Sequence, residues 1–149
     1  GGNMRIREVV HVLQQLHFHA PSEHTVDGEH FDAVMHLVHL DPDSQIVVVG
    51  IPIAAGDENS FVEDVLDAME QPDTLRQEVE PEDALPETLT YYSYVGSLTT
   101  PPCSRGVQWY VLVHPAEASS AQIDRLRAHY QGNVRPVQAL YGRKIRRSR

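Results

Sequence analysis

His17 and His19 stand one residue apart in LHFHAPSEHTVDGEHFDAVMHLVH, and further histidines follow at His24, His30, His36 and His39. On a β-strand, side chains at i and i+2 share a face, so His17 and His19 project together while Leu16 and Phe18 turn the other way. A third imidazole from a neighbouring strand would complete a face of three nitrogens. That is the ligand set of a catalytic zinc, which leaves a fourth position for water. An open zinc of this kind activates the water it holds.

The third ligand is less plainly marked. His30 lies near the Asp27-Gly28 turn signal. His36 and His39 are three residues apart, so on a strand they face opposite sides and only one can join the pair. Val34 and Val38 flank His36 on its own face, and an imidazole among valines suits a dry, shaped site. The pattern therefore favours His36. In the second half, VGSLTTPPC places Thr99 and Thr100 just before Pro101 and Pro102, which stiffen the backbone. Such a segment suits either a structural loop or a hydroxyl held beside a reacting group.

The elements that must position these residues read mainly as strands. Residues 4–19 suggest two short strands ending at His17/His19. Residues 31–40 form a second run and 45–54 a third, apolar on both faces. The turn Asp41-Pro42-Asp43-Ser44 joins these two, so 14–54 reads as a three-stranded antiparallel meander. Asn59 or Ser60 caps a helix with Phe61, Val65, Leu66 and Met69 on one side. Residues 71–88 read as an irregular surface excursion. Strand character returns at 89–95 and 106–114, and a capped helix runs from about Ser119 to Tyr130 with Ile123, Leu126 and Tyr130 together. The end of the chain shows no usable periodicity.

Bulk properties fit one domain over residues 1–149, with 41% hydrophobic and 22% charged residues. The formal net charge of -9 argues against a nucleic-acid partner. The basic cluster Arg143, Lys144, Arg146, Arg147 and Arg149 reads as a solvated end. No apolar run is long enough to span a membrane, and no signal-peptide pattern opens the chain. The single cysteine, Cys103, precludes an internal disulfide.

Taken together, QLHFHAPSEHTVDG, MHLVHLD, YYSYVGSLTTPPCSRGVQWYVL and NVRPVQALYGR closely resemble the α-class carbonic anhydrases in their bacterial form. The blocks run in the family's order and cover nearly the whole chain. The resemblance implies a mainly β (α+β) fold, a large twisted and mostly antiparallel sheet with a few peripheral helices. It implies zinc on His17, His19 and His36, and reversible hydration of CO2 to bicarbonate and a proton by zinc-bound hydroxide. Thr99 would accept a hydrogen bond from that hydroxide and pass its own proton to Glu23, while Thr100 helps place bicarbonate. Val38, Val48, Leu98, Val107 and Trp109 match the apolar wall where CO2 rests. Gln15 matches the partner of His17, the carbonyl of Asn133 that of His19, and His24 and Tyr94 a hydrogen-bond network near the site. Sulfonamide and anion inhibitors, and a periplasmic or secreted location, are implied in the same way.

Two departures qualify the resemblance. The family commonly has a glutamate at the position of Val34, bonded to the ligand matching His36, and loss of such a partner weakens metal affinity or activity by about 10–100-fold. The chain is also expected to lack an N-terminal portion of the usual domain, with its proton-shuttle histidine and the cysteine that would pair with Cys103. The alternative expectation is therefore a zinc-binding but catalytically impaired relative or an incomplete fragment, acting, if at all, as a binding module.

Overall fold

The computed structural model of the chain describes residues 2–71 and 80–149. Its strands are β1 (Met4–Ile6), β2 (Val9–His19), β3 (Thr25–Val26), β4 (Glu29–His30), β5 (Ala33–Leu40), β6 (Ile46–Ala55), β7 (Tyr91–Ser97), β8 (Arg105–Leu112), β9 (Ala116–Ala118) and β10 (Arg146–Arg147). Two α-helices, α1 (Ser60–Glu70) and α2 (Ser120–His129), and a 3-10 turn at Pro81–Ala84 complete the described elements. Among the described residues, eight strands form one sheet in the order β1-β2-β5-β6-β8-β7-β10, with β9 paired to β6.

The expected meander is present: β2 pairs with β5 and β5 with β6, both antiparallel. The small β3–β4 hairpin is inserted between β2 and β5, at the Asp27-Gly28 turn. Asp41 closes the turn between β5 and β6 by accepting the amides of Asp43 and Gln45 on its side-chain oxygen. The chain then leaves the sheet, and both β8 and β9 return parallel to β6. That switch explains why β6 is buried on both faces along most of its length. The first expected strand pair differs in proportion, since β1 has three residues and β2 eleven.

The sheet's two faces do different work. Phe18, Met35, Leu37, Ile51 and Ile53 point to one side, where Phe61, Val62 and Leu66 of α1 and Ile123 and Leu126 of α2 cover them. On the other side Val48, Val107, Trp109 and Val111 form a second apolar cluster, against which Val38, Tyr94 and Leu98 pack. The alternation along β2 and β5 assigns each residue to its side, and burial of the larger cluster fixes the register.

Each helix begins at a capped end. Asn59 is the cap of α1, its side-chain oxygen accepting the Val62 amide at 3.1 Å. Ser119 caps α2 in a reciprocal capping box with Gln122. Gln122 is almost fully buried and also reaches across, accepting the Asn59 amide and donating to the Asn59 carbonyl and Glu63. One side chain thus pins the starts of both helices together. The tail differs from its expected form: Arg146 and Arg147 are exposed, yet their backbone adds β10 to the edge of β7. Part of the 71–88 excursion, residues 72–79, lies outside the described residues.

Candidate metal centre

The β2–β5 register places His17 directly opposite His36 and His19 opposite Val34. Antiparallel partners share a face, so the i, i+2 pair and the third histidine converge. One nitrogen from each of His17, His19 and His36 lies within 4.8 Å of the others. This spacing can hold a metal ion. The ring centroids stand 4.8–5.2 Å apart, with His17 edge-on to both others.

The other histidines have separate roles. His39 faces the opposite side, buried, against the carbonyls of Leu37 and Gly2. His30 bonds the Ser22 carbonyl. His24 contacts the Tyr94 hydroxyl at 2.8 Å through Nε2.

Acceptor oxygens orient two of the three converging rings from behind. His17 Nδ1 lies 3.1 Å from Gln15 Oε1, and His19 Nδ1 lies 2.6 Å from the Asn133 carbonyl. With Nδ1 carrying the proton, Nε2 keeps a lone pair for a metal. Asn133 is itself fixed, its side-chain amide donating to the Phe18 carbonyl at 2.8 Å. Burial, and after it the charge of His19, lowers the pKa of His17 to about 4. The same two causes lower His24 to about 4, and burial pushes His36 well below its usual range. His17, His24 and His36 are therefore neutral near pH 7, which for His17 and His36 is the form that ligates.

Glu23 is buried beside this group. Its Oε2 lies 3.4 Å from His19 Nε2 and 4.0 Å from His36 Nδ1, while Oε1 accepts the Arg135 amide at 2.9 Å. His19 Nε2 and Glu23 Oε2 are both buried without a hydrogen-bond partner among the described residues. Unpaired buried polar atoms are costly, and a bound cation with its water would satisfy such a pair.

The remaining expected residues surround this centre. Val38, Val48, Leu98, Val107 and Trp109 fall in one apolar cluster, and the Trp109 ring lies 4.9 Å from both His36 and His24. Tyr94 stacks on Trp109, at 6.4 Å and 9°. Thr99 lines a cavity of about 900 Å³ together with Glu23, His24, Tyr94 and Arg135. Thr100 is exposed at the adjoining turn, its carbonyl accepting the Cys103 amide at 2.8 Å. Cys103 is a free thiol.

Arg135 is the residue that sequence reasoning missed. Beyond its amide bond to Glu23, its guanidinium donates to Ser97 Oγ and to the Leu98 carbonyl. It therefore ties the carboxylate to the segment that carries Thr99. The nearest signal was Asn133 two residues earlier, since a chain brought to His19 at Asn133 also passes Glu23 at Arg135.

Comparison with known proteins agrees with this geometry. Residues 3–149 match the family model described as eukaryotic-type carbonic anhydrase. A carbonic anhydrase from Klebsiella pneumoniae is 42% identical over 139 residues, covering 90% of this chain and 56% of that protein. A solved α-carbonic anhydrase from Thermovibrio ammonificans, in complex with the inhibitor sulfanilamide, superposes with a TM-score of 0.87 at 44% identity. The match covers 94% of this chain and 64% of that one. Dioscorin, solved in complex with ascorbate, shares the fold at a TM-score of 0.85 and 32% identity, covering 97% of this chain and 65% of that one. The chain thus spans less than two thirds of the length of each of these proteins.

Proposed function

The chain belongs to the eukaryotic-type, or α-class, carbonic anhydrase family, and on that premise we propose that it catalyses reversible hydration of CO2 to bicarbonate and a proton at a zinc ion held by His17, His19 and His36. The observation that carries this reading is the convergence of three imidazoles beside a buried carboxylate. Three nitrogen donors suit zinc, a borderline-soft cation, and leave it an open position. When bound, zinc acts as a Lewis acid that brings the ionisation of its water toward neutral pH, as is known of carbonic anhydrases in general.

The chain's own residues supply the rest. Gln15 and Asn133 fix the His17 and His19 tautomers so that their Nε2 atoms face inward. Thr99 shares a cavity with Glu23, whose Oε2 is unpartnered, and in the working centre it would donate its hydroxyl proton to that oxygen, which would leave the threonine oxygen able only to accept. It therefore selects a nucleophile that carries a proton and turns that nucleophile's lone pair toward substrate. Glu23 stays in place because the Arg135 amide holds Oε1. CO2 is apolar and needs no charged anchor, so Val38, Val48, Leu98, Val107 and Trp109 give it a dry wall. Thr100, at the exposed end of the turn, receives bicarbonate. His24 and Tyr94 brace that wall through their mutual hydrogen bond and the stack on Trp109. Sulfonamides and small anions would compete for the open metal position.

The deciding experiment is stopped-flow CO2 hydration on zinc-loaded protein with and without an aromatic sulfonamide. Sulfonamide-sensitive hydration is expected. A folded, zinc-replete and inactive protein would select the second reading, a relative that holds metal without turnover. Val34, apolar where the family commonly carries a glutamate, favours that alternative.

A further inference from the structure

The histidine centre occupies one face of the sheet, and a second cavity, of about 1040 Å³, opens on the face that carries the helices. One cross-strand row forms its floor. Leu37 pairs with Val49, Val49 with Tyr110, Tyr110 with Ser93, and Ser93 with Arg146, and all five line the cavity. Leu112 and Tyr91 extend this floor along β8 and β7, with the Tyr91 ring edge-on to Tyr110 at 5.1 Å.

The walls differ in chemistry from the floor. β1 and β10 are the two end strands of the sheet, yet Arg5 and Arg7 on the β1 side and Arg146 and Arg147 of β10 border the same cavity. Curling of the sheet thus gathers four arginines at one opening, in a chain of formal net charge -9. Arg7, Arg146 and Arg147 have no carboxylate partner among the described residues, and Arg5 meets only Glu8, at 3.8 Å between exposed side chains. Glu82 is the single carboxylate on the wall among the described residues. His39 is already engaged, since the carbonyls of Leu37 and Gly2 face its two ring nitrogens. Burial and then Tyr91 raise the pKa of the Tyr110 hydroxyl, while the charge of Arg7 lowers it, so Arg7 acts on the floor.

Unpaired guanidinium groups around an apolar floor suit a ligand with two chemistries. Guanidinium forks hold carboxylate and phosphate bidentately, and a cavity of this size buries an apolar body. We propose that this cavity binds an amphipathic organic anion, with its carboxylate or phosphate head on Arg146 and Arg147 and its apolar body on Leu37, Val49, Tyr110 and Leu112. The cavity lies across the sheet from the histidines, so binding there does not depend on the metal.

The test is calorimetric titration of the folded chain with decanoate, decyl phosphate, 1-decanol and inorganic phosphate, all below micelle-forming concentrations. Saturable one-to-one binding of decanoate or decyl phosphate is expected, and the tighter of the two identifies the head group. 1-Decanol lacks the charge and inorganic phosphate lacks the tail, so both should bind far more weakly. The double variant Arg146→Gln/Arg147→Gln is expected to weaken anion binding by about 10–100-fold. Arg147→Gln alone decides the matter if the double variant does not fold, with a smaller loss expected. Arg105→Gln, at the separate cavity beside Glu23, should leave affinity unchanged. Amide shifts during titration are expected at Ser93 and Tyr110 and not at Glu23 and His24. No saturable binding of either anion overturns the inference. So does 1-decanol binding as tightly as decanoate, or undiminished affinity in the folded arginine variants.

Discussion

His17 and His36 are direct cross-strand partners, 19 residues apart in sequence, with ring centroids 5.2 Å apart and planes at 89°. The pairing converts a strand register into a ligand set. A slip of one residue between β2 and β5 would send His36 to the side of Phe18 and Met35. The apolar core on that side therefore protects the site's geometry, since the slip would expose it.

His36→Ala is expected to abolish stoichiometric zinc retention, because two imidazoles remain on β2 and none on β5. Metal analysis of the purified, folded variant after dialysis checks this. Near-stoichiometric zinc in that variant would remove His36 from the ligand set.

Thr99→Ala separates orientation from metal binding. Thr99 lies in the cavity with Glu23 but outside the cluster of metal-competent nitrogens. The expected result is a loss of CO2 hydration of about 10–100-fold, with zinc content unchanged. A rate equal to wild type would exclude Thr99 from the catalytic set.

How far the sequence was legible follows from the range of each signal. The i, i+2 spacing of His17 and His19, and the valines around His36, are short-range periodicities that directly encode a strand face. The helix caps Asn59 and Ser119 are local in the same way, and the structure uses both. The helix faces were read incompletely, because Val62 of α1 is buried although it falls outside the expected stripe. The parallel return of β8 onto β6, and the link between Glu23 and Arg135 over 112 residues, depend on where distant segments arrive. No local period encodes them. The apolar wall is intermediate, since its residues came from family resemblance rather than periodicity, and Val48, Val107 and Trp109 do lie together.

Gln122 gives a prediction about stability alone. Its amide serves both helix starts, and its removal leaves the Asn59 and Ser119 amides without that acceptor in a buried setting. Gln122→Ala is expected to destabilise the fold by about 1–3 kcal/mol. Denaturant unfolding measures the loss, and zinc affinity should not change, because the helices lie on the sheet face opposite the histidines. A stability change within error would show that the helix starts find other partners.

The depressed histidine pKa values predict how the metal-free protein responds to acid. Burial, then the charge of His19, brings His24 and His17 to about 4 in the folded chain, against an ordinary value of 6.5. Between these pH values the unfolded chain binds more protons than the folded one, so stability rises with pH. The contribution of these two groups is complete above pH 6.5, declines as pH falls through that value, and is fully lost below about 4. His36, lowered well below its ordinary value by burial, adds to this decline in the same direction. Zinc at saturating concentration should move the acid transition to lower pH, since metal and protons compete for His17 and His36. Chemical denaturation at a series of pH values, with and without zinc, checks both parts. A metal-free stability that is flat between pH 6.5 and 4 would mean that these imidazoles are already solvated in the folded chain, and the dry histidine face would have to be abandoned.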